Sequence, residues 1–457
     1  MVVVARLSLG AAAALAVAVG GCSEDPRTIT VEVTPGHEVD AFHEAPPVAR
    51  MEVTVTAAEG DLSLNASAPP GGSLDFGEIP ADRLLAFEAR GLDAGGAAVV
   101  RGRSLSGIYL AGLDADLLPV FAQRAGRWGR PPGELSASRA GAPAAVLAER
   151  YLVLTGGAAA DGGDPAELEA YDLLAWGGSA SGPLPRVARS IVGRGSALLL
   201  VGDGGATWVD FSSGESADAA PPPGLASFAE VAGGRAVEAG DGRSFVVGAT
   251  RAAGAPTAGV LVVEADGTLK GIQLAEARGG AAAAWVDGLG LVVAGGSATG
   301  PGVEVLGDGA TAFTERPFSS DPVEGAAAVA VGLGEVVLVG GTLAGAPAPT
   351  RRLDPGCAVA CAAIEIEGAA LPAALTGVAA YALPGSRLIA VGDEIAAGGM
   401  TRSFVVDLGG ATAAELPLRE PRAGATPTPA PNGTLALLGG VHPDGTPAQT
   451  VEMLFPE

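Results

Sequence analysis

Tyr151-Leu152-Val153-Leu154-Thr155-Gly156-Gly157 is an apolar run that stops on two glycines, and the chain repeats its pattern seven times. The other runs end at Gly202-Asp203, Gly248-Ala249, Gly295-Gly296, Gly340-Gly341, Gly392-Asp393 and Gly439-Gly440. Successive first glycines are 46, 46, 47, 45, 52 and 47 residues apart. Runs this short and rich in Leu and Val, bounded by turn residues, read as buried strands.

Each run is preceded by a turn and, before that, by a strand of small apolar residues such as Gly279 to Ala284 or Gly325 to Ala330. The turns include Gly193-Arg194-Gly195, Gly240-Asp241-Gly242, Pro384-Gly385-Ser386 and Pro431-Asn432-Gly433, which supply the backbone angles that hairpins need. A third strand follows each glycine, as at Leu168 to Asp172 and Phe404 to Asp407. A period in the forties with room for four strands is the mark of propeller blades. The expected fold is all-β: a seven-bladed β-propeller over 118–457. Glycine suits the inner strands because neighbouring backbones crowd the central channel.

These residues resemble the kelch repeat family, whose apolar strand ends in Gly-Gly and is followed by a Tyr and a Trp. Four double glycines are intact, and Tyr171 with Trp176 fits the aromatic pair in the first repeat only. The array is therefore kelch-like and divergent. The last repeat stops at Val451 to Phe455 without a fourth strand. An outer strand from around Val120 to Trp128 is expected to complete it and close the ring.

The N-terminus has its own organisation. Arg6, the apolar stretch Leu7 to Val19 and Val19-Gly20-Gly21-Cys22 resemble the lipobox of bacterial lipoproteins. The apolar run is short for a membrane span, so 1–21 reads as a removed signal peptide. The resemblance implies a lipid on Cys22, palmitate included, and Ser23 next to it implies an outer-membrane destination. Residues 22–48 are polar, contain Pro26, Pro35, Pro46 and Pro47, and read as a tether, in which Ile29 to Val33 could form a first strand. From Ala49 the alternation of Met51, Val53 and Val55 with Glu52, Thr54 and Thr56 begins a set of short strands. A small β-sandwich domain is expected over 49–117.

The chain carries 27 basic against 51 acidic residues, a formal charge of −24. Nucleic-acid binding needs a basic footprint, which is missing. Cys357 and Cys361 are the only cysteines besides Cys22. In an exported chain they read as a disulfide; a metal site would need two more ligands, and no His is near in sequence. His37-Glu38, Asp40 and His43-Glu44 are metal-capable but read as a solvated stretch of the tether. No nucleophile elbow, Walker loop or HExxH occurs, and no cofactor is expected.

The loops after the glycine-ended strands share one face of a propeller with the connections between blades, and ligands meet such faces. The charged residues available there are Asp161, Asp164, Arg251, Arg351, Glu394, Arg402, His442 and Asp444. That sparse set favours a non-catalytic module binding a protein or glycan. The alternative is a carbohydrate-active or isomerase-type kelch enzyme. Clustering of Arg351, Arg402, Glu394 and Asp164 at the channel mouth would favour it.

Overall fold

In the computed structural model each glycine-ended run is the second strand of an antiparallel sheet, between the small-residue strand before it and a third strand after it. The structure describes residues 26–113, 115–159, 165–251, 254–332, 334–396 and 398–456. Among them, blades 1 to 6 have four strands each and blade 7 has three. Blade 1 runs through Ala144–Leu147, Tyr151–Thr155, Leu168–Asp172 and Gly177–Ala180. Blade 7 runs through Thr426–Pro429, Leu435–Leu438 and Glu452–Leu454. The inner strands of successive blades touch, and that of blade 7 reaches back to blade 1. The seven-bladed, all-β ring expected from the spacing is present.

Packing explains the glycines in two ways. At the four intact double glycines both residues have positive φ, a conformation open to Gly at little cost. At Gly202, Gly248 and Gly392, where the second glycine is replaced, φ is not positive. Inner strands use glycine for close approach instead. A Cβ on Gly193 in blade 2 would sit 1.9 Å from the Val146 carbonyl oxygen in blade 1. Gly193→Ala is expected to cost at least about 2 kcal/mol in urea unfolding. Gly177→Ala, where a Cβ meets nothing within 4 Å, should cost less than about 1 kcal/mol. Equal losses at both positions would refute the crowding argument.

Ring closure differs from expectation in one respect. The third strand of blade 7 is paired from outside by Gly129, through Gly129 N to Met453 O (3.0 Å) and Met453 N to Gly129 O (2.8 Å). Residues 117–124 do not serve as that outer strand, because they are committed to another sheet. Trp128 still seals the seam: it is buried against Ile389, Val391, Leu435 and Leu437, and its indole N–H donates to Ser403 Oγ at 2.9 Å.

That other sheet corrects the expected domain plan. Its strands are β1 (Arg27–Thr34), β2 (Arg50–Ala57), β3 (Ser63–Ala68), β4 (Leu74–Ile79), β5 (Leu84–Leu92), β6 (Ala98–Arg103), β7 (Ile108–Tyr109) and β8 (Leu117–Arg124). They form one curled eight-stranded sheet in the order β3-β2-β5-β6-β8-β1-β4, with β7 on β5, in place of a two-sheet sandwich over 49–117. Strand β1 comes from the stretch read as a tether. It is hydrogen-bonded on both sides, parallel to β8 and antiparallel to β4. Ile29, Val31 and Val33 point into the same core as Leu152, Tyr171, Trp176 and Met453 of blades 1 and 7.

Residues 35–48 are equally committed. Phe42 is buried, and the His37 N–H donates to Arg130 O at 3.0 Å. Glu38 pairs with Arg130 (2.8 Å) and Arg419 (2.6 Å), and Glu44 with Arg127 (2.8 Å). The acidic stretch is a clasp on the propeller seam, since each of these carboxylates meets an arginine there. Burial tends to raise the Glu38 pKa, but the hydrogen bonds and charges of Arg419 and Arg130 outweigh it and hold the carboxyl below its usual range.

The blades share a buried charge device. Where blade 3 leads into blade 4, Arg278 and Glu304 are fully buried and paired at 2.8 Å. Arg278 also donates to the carbonyls of Gly295 (3.1 Å) and Pro301 (2.6 Å), fixing the loop after the double glycine. In blade 7, Arg422 pairs with Glu452 at 3.1 Å and donates to Gly439 O (3.2 Å) and Thr450 O (2.7 Å). Blade 1 has the same residues in an open arrangement. Glu169 accepts from Ser136 N (3.0 Å), and Arg139 pairs with Glu167 (3.2 Å) instead. Glu169 Oε1 and Arg139 Nε and Nη1, all buried, have no hydrogen-bond partner among the described residues.

This difference has a pH signature. Burial pushes the Glu169 carboxyl up to about 7, against the pull of the Ala137 and Ser136 N–H groups and Arg139. A carboxyl raised on folding contributes its stability below its unfolded value and loses it as pH rises toward 7. Glu169→Gln is therefore expected to stabilise by about 1–3 kcal/mol at pH 8 and to change little at pH 5. Thermal melts at the two pH values check this, and destabilisation at pH 8 would contradict it.

Candidate binding face

One face of the propeller is built from the loops after the second strands and the connectors between blades. The sequence-selected charges on it are mostly tied to their own surroundings. Arg251 closes the turn after Gly248 and donates to Ala229 O (3.1 Å) and Ala255 O (2.7 Å), joining the blade 2–3 connector to the blade 3 loop. Arg351 pairs with Asp321 at 2.8 Å, both largely buried. Arg402 lies across blade 6, pairing with Glu394 (2.8 Å) and Glu415 (2.6 Å), with its guanidinium 5.8 Å from the Phe404 ring centre. Those two carboxylates raise its pKa further.

His442 hydrogen-bonds through Nδ1 to Pro421 O (2.9 Å), with Nε2 3.8 Å from Glu420. Asp444 accepts from the Thr446 hydroxyl (2.6 Å) and N–H (3.0 Å), which lower its pKa. Asp161 and Asp164 lie outside the described residues, as does Cys22. Arg402 and Glu394 are thus together, while the ion pair of Arg351 is with the blade 4–5 connector. Cys357 and Cys361 form the expected disulfide in blade 5, with an S–S distance of 2.07 Å.

Two features of this part of the ring were not singled out in the sequence. The first is a depression of about 300 Å³ between blades 2 and 3, lined by Arg186, Asp203, Gly204, Asp218, Ser227 and Phe228. Arg186 lies over the Gly204-Gly205 turn and donates to Thr207 Oγ1 (3.1 Å) and Asp218 Oδ1 (3.3 Å). Arg189 pairs with Asp203 at 2.9 Å. The depression is shallow and of mixed charge, suited to a polar group of a larger surface. Arg186 sits on a connector, where no strand period marks it.

The second is in the channel. Arg235, on the inner strand of blade 3, reaches across the ring to donate to the carbonyls of Gly377 and Val378 in blade 6. Burial lowers its pKa from the usual arginine value. Beside it, the Tyr381 hydroxyl donates to Pro427 O at 3.0 Å, and burial pushes its pKa up to about 12. This bolt ties opposite walls of the channel together.

The same face exposes apolar side chains. Val187 in the blade 1–2 connector, Leu343 in the blade 5 loop and Ile395 in the blade 6 loop are 45, 42 and 54 % exposed.

No protein-family model matches the chain, and no curated protein matches it. Solved structures to which it is similar include the WD40 domain of Neurospora crassa Pan2, at 11 % identity and a TM-score of 0.42, covering 73 % of this chain and 97 % of that one. Another is a chain of the mitotic checkpoint complex, at 10 % identity and a TM-score of 0.45, covering 68 % and 86 %.

Proposed function

We propose that this chain is an exported envelope protein, lipidated at Cys22 after removal of 1–21, whose propeller is a non-catalytic binding module. The partner is a protein, held on the loop face. The observation that carries this reading is the composition of that face. Its described candidate charges are engaged with neighbouring groups, and Val187, Leu343 and Ile395 stand exposed among them. Exposed apolar groups within a rim of paired charges suit a protein surface better than a hydroxyl-rich glycan. The kelch-like assignment of the repeats rests on the double glycines and on Tyr171 with Trp176.

The test is affinity capture from envelope extracts with the full chain in detergent, comparing wild type with Val187→Glu/Ile395→Glu. A partner retained by wild type and lost by the variant supports the face. Retention by both would move the site elsewhere, and turnover of a glycan panel by the purified chain would overturn the non-catalytic reading.

A further inference from the structure

The N-terminal sheet has one end that faces away from the candidate binding face. Strands β1, β5 and β8 all run in the same direction, because β1 is parallel to β8 while β6 is antiparallel to both β8 and β5. Their last residues approach the connector side of the propeller. Beyond β1, Glu38 meets Arg130 and Arg419; beyond β8, Gly129 pairs with Met453. Their first residues lie at the opposite pole. Near that pole Trp176 of the blade 1 hairpin donates to Pro119 O at 3.0 Å, and Asn432 of the blade 7 hairpin contacts Arg103 O. Both hairpins belong to the face opposite the loops. An eight-residue strand spans about 26 Å between the two poles.

The starting pole carries an apolar rim. Leu84 and Tyr109 are cross-strand partners and are 51 and 42 % exposed; Leu117 at the start of β8 is 47 % exposed. Arg27 is anchored in the middle of them, donating to Leu110 O and Leu113 O and pairing with Asp116 at 2.6 Å. Arg27 is five residues after Cys22, a reach of at most about 18 Å.

We infer that this rim, Leu84, Tyr109 and Leu117, rests on the lipid surface, so that the loop face points away from the membrane. The inference rests on the lipidation of Cys22 proposed above. Burying the exposed parts of three such side chains is by itself too little to hold a protein on a bilayer. A short tether changes that balance, because it keeps the rim at high effective concentration against the surface. Tyr suits a headgroup layer, with an apolar ring and a polar tip, and Arg83, exposed beside Leu84, can extend its guanidinium toward phosphates. The acidic net charge makes a zwitterionic surface the fitting probe.

The full lipidated chain in phosphatidylcholine vesicles doped with a photoactivatable phosphatidylcholine provides the test. Adducts mapped by mass spectrometry are expected in 80–92 and 105–118, at least about tenfold above those in 183–190, 340–345 and 393–397. Leu84→Ser/Leu117→Ser, at exposed positions that leave the core intact, should lower the rim adducts about threefold. Adducts on the loop face, or spread evenly, would overturn the orientation. Unmodified Cys22 in cells would defeat the anchoring reading alone. The rim is then tested by coupling Cys22 to a maleimide phospholipid in the same vesicles, where absence of rim adducts would defeat the inference itself.

Discussion

A chain trimmed to begin at Ala49 is expected not to fold, although the trimmed stretch reads as a polar tether. The cut removes β1 from between β8 and β4, leaving β4 without its only strand partner among the described residues and β8 with a bare edge. It also removes Ile29, Val31, Val33 and Phe42 from the core shared with blades 1 and 7. At about 1.5–3 kcal/mol per buried side chain, those four contribute about 6–12 kcal/mol. That is comparable with the whole stability of a typical domain, about 5–15 kcal/mol. Loss of Glu38 would further leave Arg419 and Arg130 short of a carboxylate. A chain beginning at Pro26 should melt cooperatively, while one beginning at Ala49 should be insoluble or lack a transition. Equal melting midpoints would show that β1 is dispensable.

The second large effect is expected at the buried charge pairs. Glu304→Ala leaves the Arg278 guanidinium fully buried without its counter-ion, whereas Glu452→Ala leaves Arg422 with Glu420 alone, at 3.3 Å. Removing one member of such a pair costs about 3–5 kcal/mol. Carbonyls from the glycine loops remain as partners, but they carry no charge. Replacing both members, as in Arg278→Met/Glu304→Leu, should recover much of the loss, because the uncompensated charge is gone. Urea unfolding measures both. Glu169, at the equivalent place in blade 1, should behave oppositely on neutralisation, since its Oε1 has no partner among the described residues. A loss below about 1 kcal/mol for Glu304→Ala would mean that Arg278 is satisfied by carbonyls alone.

The ring was legible in the sequence because its signals are local. A strand of Leu and Val ending in glycine is formed by neighbouring residues, and seven copies set the blade number. The intact double glycines take positive φ, and their degraded copies sit where φ is not positive. The pairing of Cys357 with Cys361 was legible because they are the only cysteines besides Cys22 in a chain that reads as exported. Pairing over long separations was not. Thr30 pairs with Leu117, and nothing near Ile29, Val31 and Val33 names a partner so far along the chain. Turn-rich flanks and four prolines made 22–48 look like a spacer.

Charges were the other blind spot. Arg139-Ala140-Gly141, Arg278-Gly279-Gly280 and Arg422-Ala423-Gly424 repeat ahead of inner strands, and Glu169, Glu304 and Glu452 repeat in third strands. A repeated charge at a fixed place in a buried strand is a signal for an internal pair. On the loop face, likewise, Arg351 is held by Asp321, and Arg402 by Glu394 and Glu415.

Central to all of this is that both ends of the chain close the ring as one cooperative unit. Native-state hydrogen exchange across a denaturant series measures that directly. Amides of β1, of Gly129 and of Glu452–Leu454 should exchange only through the same global opening as the second strands of blades 2 to 6. Exchange of β1 or Met453 at low denaturant, with those blades still protected, would show an N-terminal appendage on a ring that closes without it.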